Sequence, residues 1–204
     1  MDVVAVATDD PRIAAAAERA GATAIMTGPA ATGTDRVAEA ARKLRPPPEI
    51  VVNLQGDEPL IEPEAIETLL QAMAESGAEM GTLARPLEPG EAERPQVVKV
   101  VTDLSGHALY FSRALIPNRR AGGVSPLCRA HVGIYGFTAS FLERFARLGP
   151  GRLEGEEALE QLRALEHGVR IRVADTAYRG FGIDTPEDLE RARALLAKGT
   201  RSTG

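Results

Sequence analysis

Residues 50–59 read Ile50-Val51-Val52-Asn53-Leu54-Gln55-Gly56-Asp57-Glu58-Pro59: an apolar run of strand type that stops at a glycine, two carboxylates and a proline. Gly56 admits backbone shapes that other residues avoid, and Pro59 cannot continue a central strand. Asp57 and Glu58 therefore stand at the carboxyl end of a buried strand, where open α/β sheets bind their ligands. Carboxylates with no Cys or His beside them suit a hard cation such as Mg2+ and the phosphate oxygens that accompany it. The same residues also serve as a polar strand end leading into the next helix. The run alone leaves both readings open.

The rest of the chain sets this strand in an alternating frame. Val3–Ala7 reads as a strand. Asp10 and Pro11 open a helix over Ile13–Ala20 that Gly21 stops, and Ala22–Met26 returns as a strand. Thr32-Gly33-Thr34-Asp35 starts a helix carrying Val37, Ala40, Ala41 and Leu44, which Pro46-Pro47-Pro48 cannot extend. In Pro63–Ser76, Ile66, Leu69, Leu70 and Met73 share one helical face, and Met80–Ala84 is again a strand. Strand–helix alternation implies right-handed crossovers and a mostly parallel sheet. The pattern then changes. Residues 97–102 and 107–113 flank the turn Asp103-Leu104-Ser105-Gly106 as a hairpin, and Ala121–Pro126 is a glycine-rich loop. A strand over His131–Phe137 leads to a helix over 139–146. Glu156–His167 reads as one helix, Val169–Ala174 as a strand, and Thr185-Pro186-Glu187-Asp188 opens a last helix to Ala197. The 204 residues are read as a single α/β domain.

Charge and composition exclude several classes of function. A net charge of −5 with no long basic run argues against nucleic acid as a partner, so any nucleotide ligand is a small molecule. The single cysteine, Cys128, precludes an internal disulfide. No apolar stretch approaches the roughly 20 residues that span a bilayer, and the N-terminus lacks the features of a signal peptide. The expected location is cytoplasmic.

Further residues carry chemistry in more than one reading. Asp184, in Gly182-Ile183-Asp184-Thr185-Pro186, either caps the last helix or joins Asp57 as a second oxygen ligand of Mg2+. Thr32, Gly33, Thr34 and Arg36 sit at a helix start that suits an anion or a base edge, and equally a plain N-cap. Lys99 interrupts an otherwise apolar strand, with Arg113 and Arg129 on or beside neighbouring strands. Glu160 reads as a surface position in its helix, and His131 as a lone histidine at a strand start. There is no Walker A motif, no G-x-G-x-x-G, no G-x-S-x-G and no zinc-type spacing.

Taken together, Val6-Ala7-Thr8-Asp9, Thr32-Gly33-Thr34-Asp35-Arg36, Val52–Pro59, Val97–Val101, Ala108–Arg113, His131-Val132-Gly133-Ile134-Tyr135-Gly136, Leu159–Arg163 and Gly182–Leu189 follow a known order. Through them the chain resembles the 3-deoxy-manno-octulosonate (Kdo) cytidylyltransferases, the CMP-Kdo synthetases of lipopolysaccharide synthesis. The resemblance implies an α/β nucleotidyltransferase fold: a GT-A or Rossmann-like three-layer arrangement, mostly parallel, with a smaller mixed-sheet subregion. It implies the reaction of CTP with Kdo to give CMP-Kdo and pyrophosphate. Asp57 and Asp184 would be catalytic and hold Mg2+. Gln55, Thr32, Gly33, Thr34 and Arg36 would lie on the nucleotide side, and His131, Tyr135, Glu160 and Gln161 on the sugar side. A subregion over about 97–150 would bind sugar and build a homodimer. At the position where the family places a basic residue directly before the histidine, this sequence has Ala130, with Arg129 one place earlier.

The sequence also starts at what would be the family's second strand. The leading strand–loop–helix, about 30–40 residues by the usual size of such units, carries the family's Arg and Lys for the triphosphate. A late start codon, a fragment or a degenerate relative would each produce this pattern. Three expectations follow: an active Kdo cytidylyltransferase, an inactive remnant, or an enzyme for another acidic sugar such as an amino-Kdo or a sialic-type acid.

Overall fold

A computed structural model describes residues 3–58, 60–180, 182–183 and 185–199, with side chains through Leu196. Local chemistry sets the ends of the early elements. β1 (Ala5–Thr8) leads to Asp10, whose carboxylate accepts the Arg12 N–H at 2.7 Å and caps α1 (Pro11–Arg19). Gly21, at φ 82°, turns the chain into β2 (Thr23–Met26). Thr32 caps α2 (Gly33–Lys43) by accepting the Asp35 N–H. β3 (Ile50–Asn53) precedes α3 (Pro63–Ser76), which Gly77 ends at φ 64° before β4 (Met80–Pro86).

β5 (Lys99–Thr102) and β6 (Ala108–Ser112) form the expected hairpin; in its turn Asp103 Oδ1 accepts the N–H groups of Ser105 and His107 at 2.8 Å. β7 (Arg129–Thr138) and α4 (Ala139–Phe145) follow. The segment expected as one helix over 156–167 is instead two, α5 (Arg152–Glu157) and α6 (Gln161–Glu166). They break at Ala158, which has left-handed dihedrals at φ 51°. β8 (Ile171–Asp175) and α7 (Pro186–Gly199) complete the chain.

The sheet is mixed. β1 and β2 pair in parallel as a two-stranded sheet, and the other strands form a second sheet in the order β6-β5-β7-β4-β8, with β3 also on β7. β4–β8 is parallel, whereas β7 runs antiparallel to β3, β4 and β5, and β5 to β6. The departure from a mostly parallel sheet comes from the β5–β6 hairpin and from β7. β7 returns from the hairpin and inserts between β3 and β4. Both neighbours run against it, so β3, β4 and β8 still share one direction, as the strand–helix alternation predicts. The hairpin joins the same sheet through the first residues of β7, so the stretch 97–150 extends this sheet.

Helices cover both faces. On one, Ala65, Leu69, Ala72 and Met73 of α3 pack on Leu83, Val132, Ile134 and Ala174. On the other, Ala38 of α2 and Phe141, Leu142 and Phe145 of α4 meet Met80, Phe137 and Ile171. Among the described residues no helix is long and apolar enough to cross a membrane.

The first interface needs two glycines. Gly81 and Gly136 face each other across β4 and β7 beneath α3. A methyl group on Gly81 would stand 2.6 Å from Met73 Cγ and 3.0 Å from Leu69 Cδ1, and one on Gly136 would overlap Met73 Sδ. The contact is with the middle of the Met73 side chain, so α3 itself must give way. Gly136→Ala is expected to destabilise the fold by about 1–3 kcal/mol, read as a lower denaturant midpoint with an unchanged slope. Wild-type stability in this variant would show that α3 does not press on the sheet here.

Candidate active site

A cleft of about 850 Å³ opens at the carboxyl end of β3, between the last turns of the sheet and the α5–α6 segment. Gln55, Asp57, His131, Tyr135, Glu160 and Gln161 all line it. Six side chains expected at the site, from three separate stretches of sequence, thus meet in one cavity.

His131 and Tyr135 are displayed by β7. Opposite the Thr82–Leu83 step of β4, the register on β7 jumps from Tyr135 to Val132, leaving Gly133 and Ile134 as a bulge. Such bulges bend a strand and re-aim its side chains. The hydroxyl of Thr82, fully buried, sits in the bulge 2.8 Å from Ile134 O, 3.2 Å from Val132 O and 2.9 Å from His131 Nε2. The His131 ring meets Phe111 edge-on with centroids 5.0 Å apart, and Tyr135 at 5.5 Å. The contacts continue from Tyr135 through Phe137 to Phe141 and Phe145, so four of the five phenylalanines buttress this face. Part of the His131 surface opens to the cleft while protein surrounds the rest, and this burial pushes its pKa down to about 3. Burial, with Glu160 nearby, pushes the Tyr135 phenol up. Both rings are neutral at physiological pH.

Glu160 and Gln161 reach the cleft because the helix breaks. The carboxylate of Glu157 accepts the Ser112 hydroxyl at 2.6 Å and the Arg113 N–H at 2.8 Å, while Arg113 Nε donates to Glu157 O at 2.7 Å. Burial opposes ionisation of Glu157, but these hydrogen bonds outweigh it and hold its pKa below the ordinary carboxylate range. With α5 clamped to the end of β6, the turn at Ala158 swings the start of α6 toward β7. Glu160, expected on the surface, is half-buried in the cleft wall. Gln161 is 2% exposed, and its Nε2 has no protein partner among the described residues. A buried amide donor left unsatisfied by protein is costly, and this one belongs to a residue of the cleft wall.

The strand-end side is more open. Asp57 is exposed at the tip of β3, and its backbone carbonyl accepts the N–H of Ile183 at 2.9 Å. Asp184 lies outside the described residues. Thr32, Gly33, Thr34 and Arg36 do not line the cleft, but Gly33 borders it: a methyl group there would stand 3.6 Å from Gln55 Oε1. Thr32 works as the cap of α2 and Thr34 is buried. Arg36 donates to Thr27 Oγ1 at 2.7 Å and to Asp9 Oδ2 at 3.1 Å, tying the start of α2 to the ends of β1 and β2. No group of three or more His, Cys, Asp and Glu placed to hold a metal occurs among the described residues. The donors at the strand tip, Asp57 and Glu58, are hard oxygens, and a set this small fits a cation that takes the rest of its ligands from phosphate and water.

Lys99 has a role that its position in the sequence signalled only as an anomaly. It is fully buried, and its ammonium donates to the carbonyls of Arg94, Val97 and Arg113 at 3.0, 2.7 and 2.5 Å. Burial lowers its pKa, and the three carbonyls take up its three donors. This pins the 94–98 segment, which forms one wall of the cleft. Above it Arg85 makes a two-pronged pair with Glu91 at 2.7 Å for each contact.

Comparison with known proteins gives this geometry a family. The cytidylyltransferase family profile matches residues 1–171. A 3-deoxy-manno-octulosonate cytidylyltransferase of Anaeromyxobacter sp. (strain Fw109-5) is 81% identical over 98% of this chain and 82% of its own length. The enzyme of that name from Myxococcus xanthus (strain DK1622) is 50% identical over 96% of this chain and 79% of its own length. A structure of CMP:2-keto-3-deoxy-manno-octonic acid synthetase complexed with CTP superposes with a TM-score of 0.89 at 40% identity, covering 98% of this chain and 82% of that one. A 4-diphosphocytidyl-2C-methyl-D-erythritol synthase from Anaerococcus prevotii, at 17% identity and a TM-score of 0.60, shares the fold. The chain thus belongs to the cytidylyltransferase family, among the 3-deoxy-manno-octulosonate cytidylyltransferases.

Proposed function

We propose that this protein transfers CMP from CTP to Kdo, giving CMP-Kdo and pyrophosphate for lipopolysaccharide synthesis. The observation that carries the reading is the meeting, in one cleft, of the Asp57 strand tip with His131, Tyr135, Glu160 and the unpartnered amide of Gln161. The names of its 81% and 50% identical relatives supply the substrate. The anomeric hydroxyl of Kdo attacks the α-phosphorus; an oxygen–phosphorus bond forms as the bond to pyrophosphate breaks, and the hydroxyl proton leaves to solvent. Such reactions depend on positioning and charge balance more than on covalent help from protein. That accords with a cleft lined by carboxylates, amides, rings and arginines, with no Ser or Cys among its described lining residues.

In this reading Asp57, with Asp184, holds Mg2+, which when bound polarises the phosphate and eases ionisation of the attacking hydroxyl. Gln55, Thr32, Gly33, Thr34 and Arg36 form the nucleotide side. Gly33 leaves room beside Gln55 for a base edge, and Arg36 holds that corner rigid through Thr27 and Asp9. His131, Tyr135, Glu160 and Gln161 present neutral rings, an amide and a carboxylate to a polyhydroxylated sugar. We assign the protein to the cytoplasm, where CTP is made, and to a homodimer through the 97–150 stretch, whose Leu109, Val124 and Leu127 are exposed apolar side chains.

The direct test is CMP-sugar formation by the purified protein with CTP and a panel of Kdo, amino-Kdo and sialic-type acids; Kdo is expected to be used best, and no product with any sugar would overturn the proposal. Asp57→Asn is expected to lower CMP-Kdo formation by at least about 100-fold while the circular dichroism spectrum stays that of the wild type. Full turnover would remove Asp57 from the metal site. Gln161→Ala is expected to raise the Michaelis constant for Kdo about tenfold, the worth of one hydrogen bond, and that for CTP by much less. Equal effects on both substrates would make Gln161 a packing residue.

A further inference from the structure

A threonine hydroxyl, that of Thr82 in β4, is buried in the bulge of β7. Thr82 Oγ1 has three neighbours: Ile134 O at 2.8 Å, Val132 O at 3.2 Å and His131 Nε2 at 2.9 Å. Two of them, the carbonyls, can only accept. A hydroxyl has one proton to give, and it belongs to these carbonyls, with Ile134 O the nearer. If the proton pointed at His131 instead, the hydroxyl oxygen would face two carbonyl oxygens with no proton between them. Thr82 Oγ1 therefore accepts from His131, and His131 carries its proton on Nε2.

The other ring nitrogen is then an acceptor. His131 Nδ1 makes no hydrogen bond to any described residue. It is also absent from the buried polar atoms that lack a partner, which among the described residues are Asn53 Nδ2, Gln161 Nε2 and Arg172 Nε. An atom neither bonded nor buried is open, and the space against His131 is the cleft. The ring cannot easily turn over to exchange its nitrogens, since Phe111 and Tyr135 pack against it.

We propose that Thr82 is a positioning residue that locks His131 as its Nε2–H tautomer, so that Nδ1 faces the cleft as a hydrogen-bond acceptor for a hydroxyl group of the sugar acid. The inference rests on the sugar-side placement of His131 made above and adds the group that sets its polarity. His131 Nδ1 offers an acceptor, and a hydroxyl group supplies the donor it needs, whereas a ligand lacking a donor leaves the Nδ1 lone pair unmet.

The test combines ¹⁵N NMR of the imidazoles with kinetics on Thr82→Val and Thr82→Ser. Only His107, His131 and His167 contribute imidazole signals, so His131 is assigned by its loss in His131→Asn. The wild type at pH 7 is expected to show His131 neutral with the proton on Nε2. In Thr82→Val, which keeps the shape and removes the acceptor, the proton is expected to move substantially to Nδ1, where the cleft is open. The Michaelis constant for Kdo should rise about tenfold with that for CTP within about twofold, and Thr82→Ser should restore both. A wild-type His131 protonated on Nδ1 refutes the inference, and that spectrum decides the matter even if Thr82→Val does not fold. A tautomer shift with an unchanged constant for Kdo, or equal changes for both substrates, also refutes it, by showing that the Nδ1 acceptor does not read the sugar. Absence of CMP-Kdo formation by the wild type would instead overturn the proposed reaction, with the tautomer still read from the spectrum.

Discussion

The cleft depends on β7 being held along both edges. β4 pairs with one edge for almost its whole length, while β3 and β5 divide the other between its two ends. A strand held this way cannot slip register without breaking three pairings at once. It can therefore carry a two-residue bulge without fraying, and the bulge is what His131 and Tyr135 flank. The same pairing brings Gly81 and Gly136 face to face, and their missing side chains let α3 press on one side of the sheet. On the opposite side the run of rings from Phe111 to Phe145 fills the space. The candidate site side chains His131 and Tyr135 thus stand on a rigid element packed from both faces, as precise positioning of a substrate requires.

Two further devices bring the other walls of the cleft to β7. Arg113, at the end of β6, donates two hydrogen bonds to Glu157 of α5, and Ala158 takes a left-handed conformation that costs a non-glycine residue about 1–2 kcal/mol. That cost is set against the clamp on Glu157 and the burial of Leu159 and Leu162 beyond the turn. Its outcome is that Glu160 and Gln161 point into the cleft. Lys99 does the same for the 94–98 wall: one buried ammonium gathers three carbonyls that no strand would bring together. A buried charge of this kind is tolerated only where its donors are satisfied.

Elements governed by neighbouring residues were legible in the sequence. Asp10 and Thr32 cap where their side chains can reach the next turn, Gly21 and Gly77 stop their helices, and Asp103 makes the hairpin turn. What escaped is non-local. Nothing within residues 129–138 says that this strand will lie between β3 and β4, so the sheet reads as more parallel than it is. The apolar spacing of Leu159, Leu162 and Leu165 fits one continuous helix; only the tie from Glu157 to Ser112 and Arg113, more than 40 positions away in sequence, breaks it. Glu160 consequently reads as a surface residue and Lys99 as an oddity. The convergence of Gln55, Asp57, His131, Tyr135, Glu160 and Gln161 came from resemblance to a family, because no spacing rule links stretches so far apart.

Charge shows the same separation of local from global. A net charge of −5 argues against a polyanionic partner, yet the ligands proposed here, a nucleoside triphosphate and a sugar acid, are anions. The arginines of the cleft resolve the conflict differently from one another. Arg85 and Arg179 are matched by Glu91 and Glu88, which holds the wall but nearly cancels their charge. The side chain of Arg113 donates instead to the carbonyls of Pro95, Glu157 and Ala158, dipoles that orient the guanidinium, while the nearby Glu157 carboxylate offsets part of its charge. Held by carbonyls at the cleft edge, such a charge acts on a ligand a few ångströms away. The field that an anionic substrate meets is set by how each nearby cation is paired, and the balance of Asp, Glu, Lys and Arg over the chain says little about it.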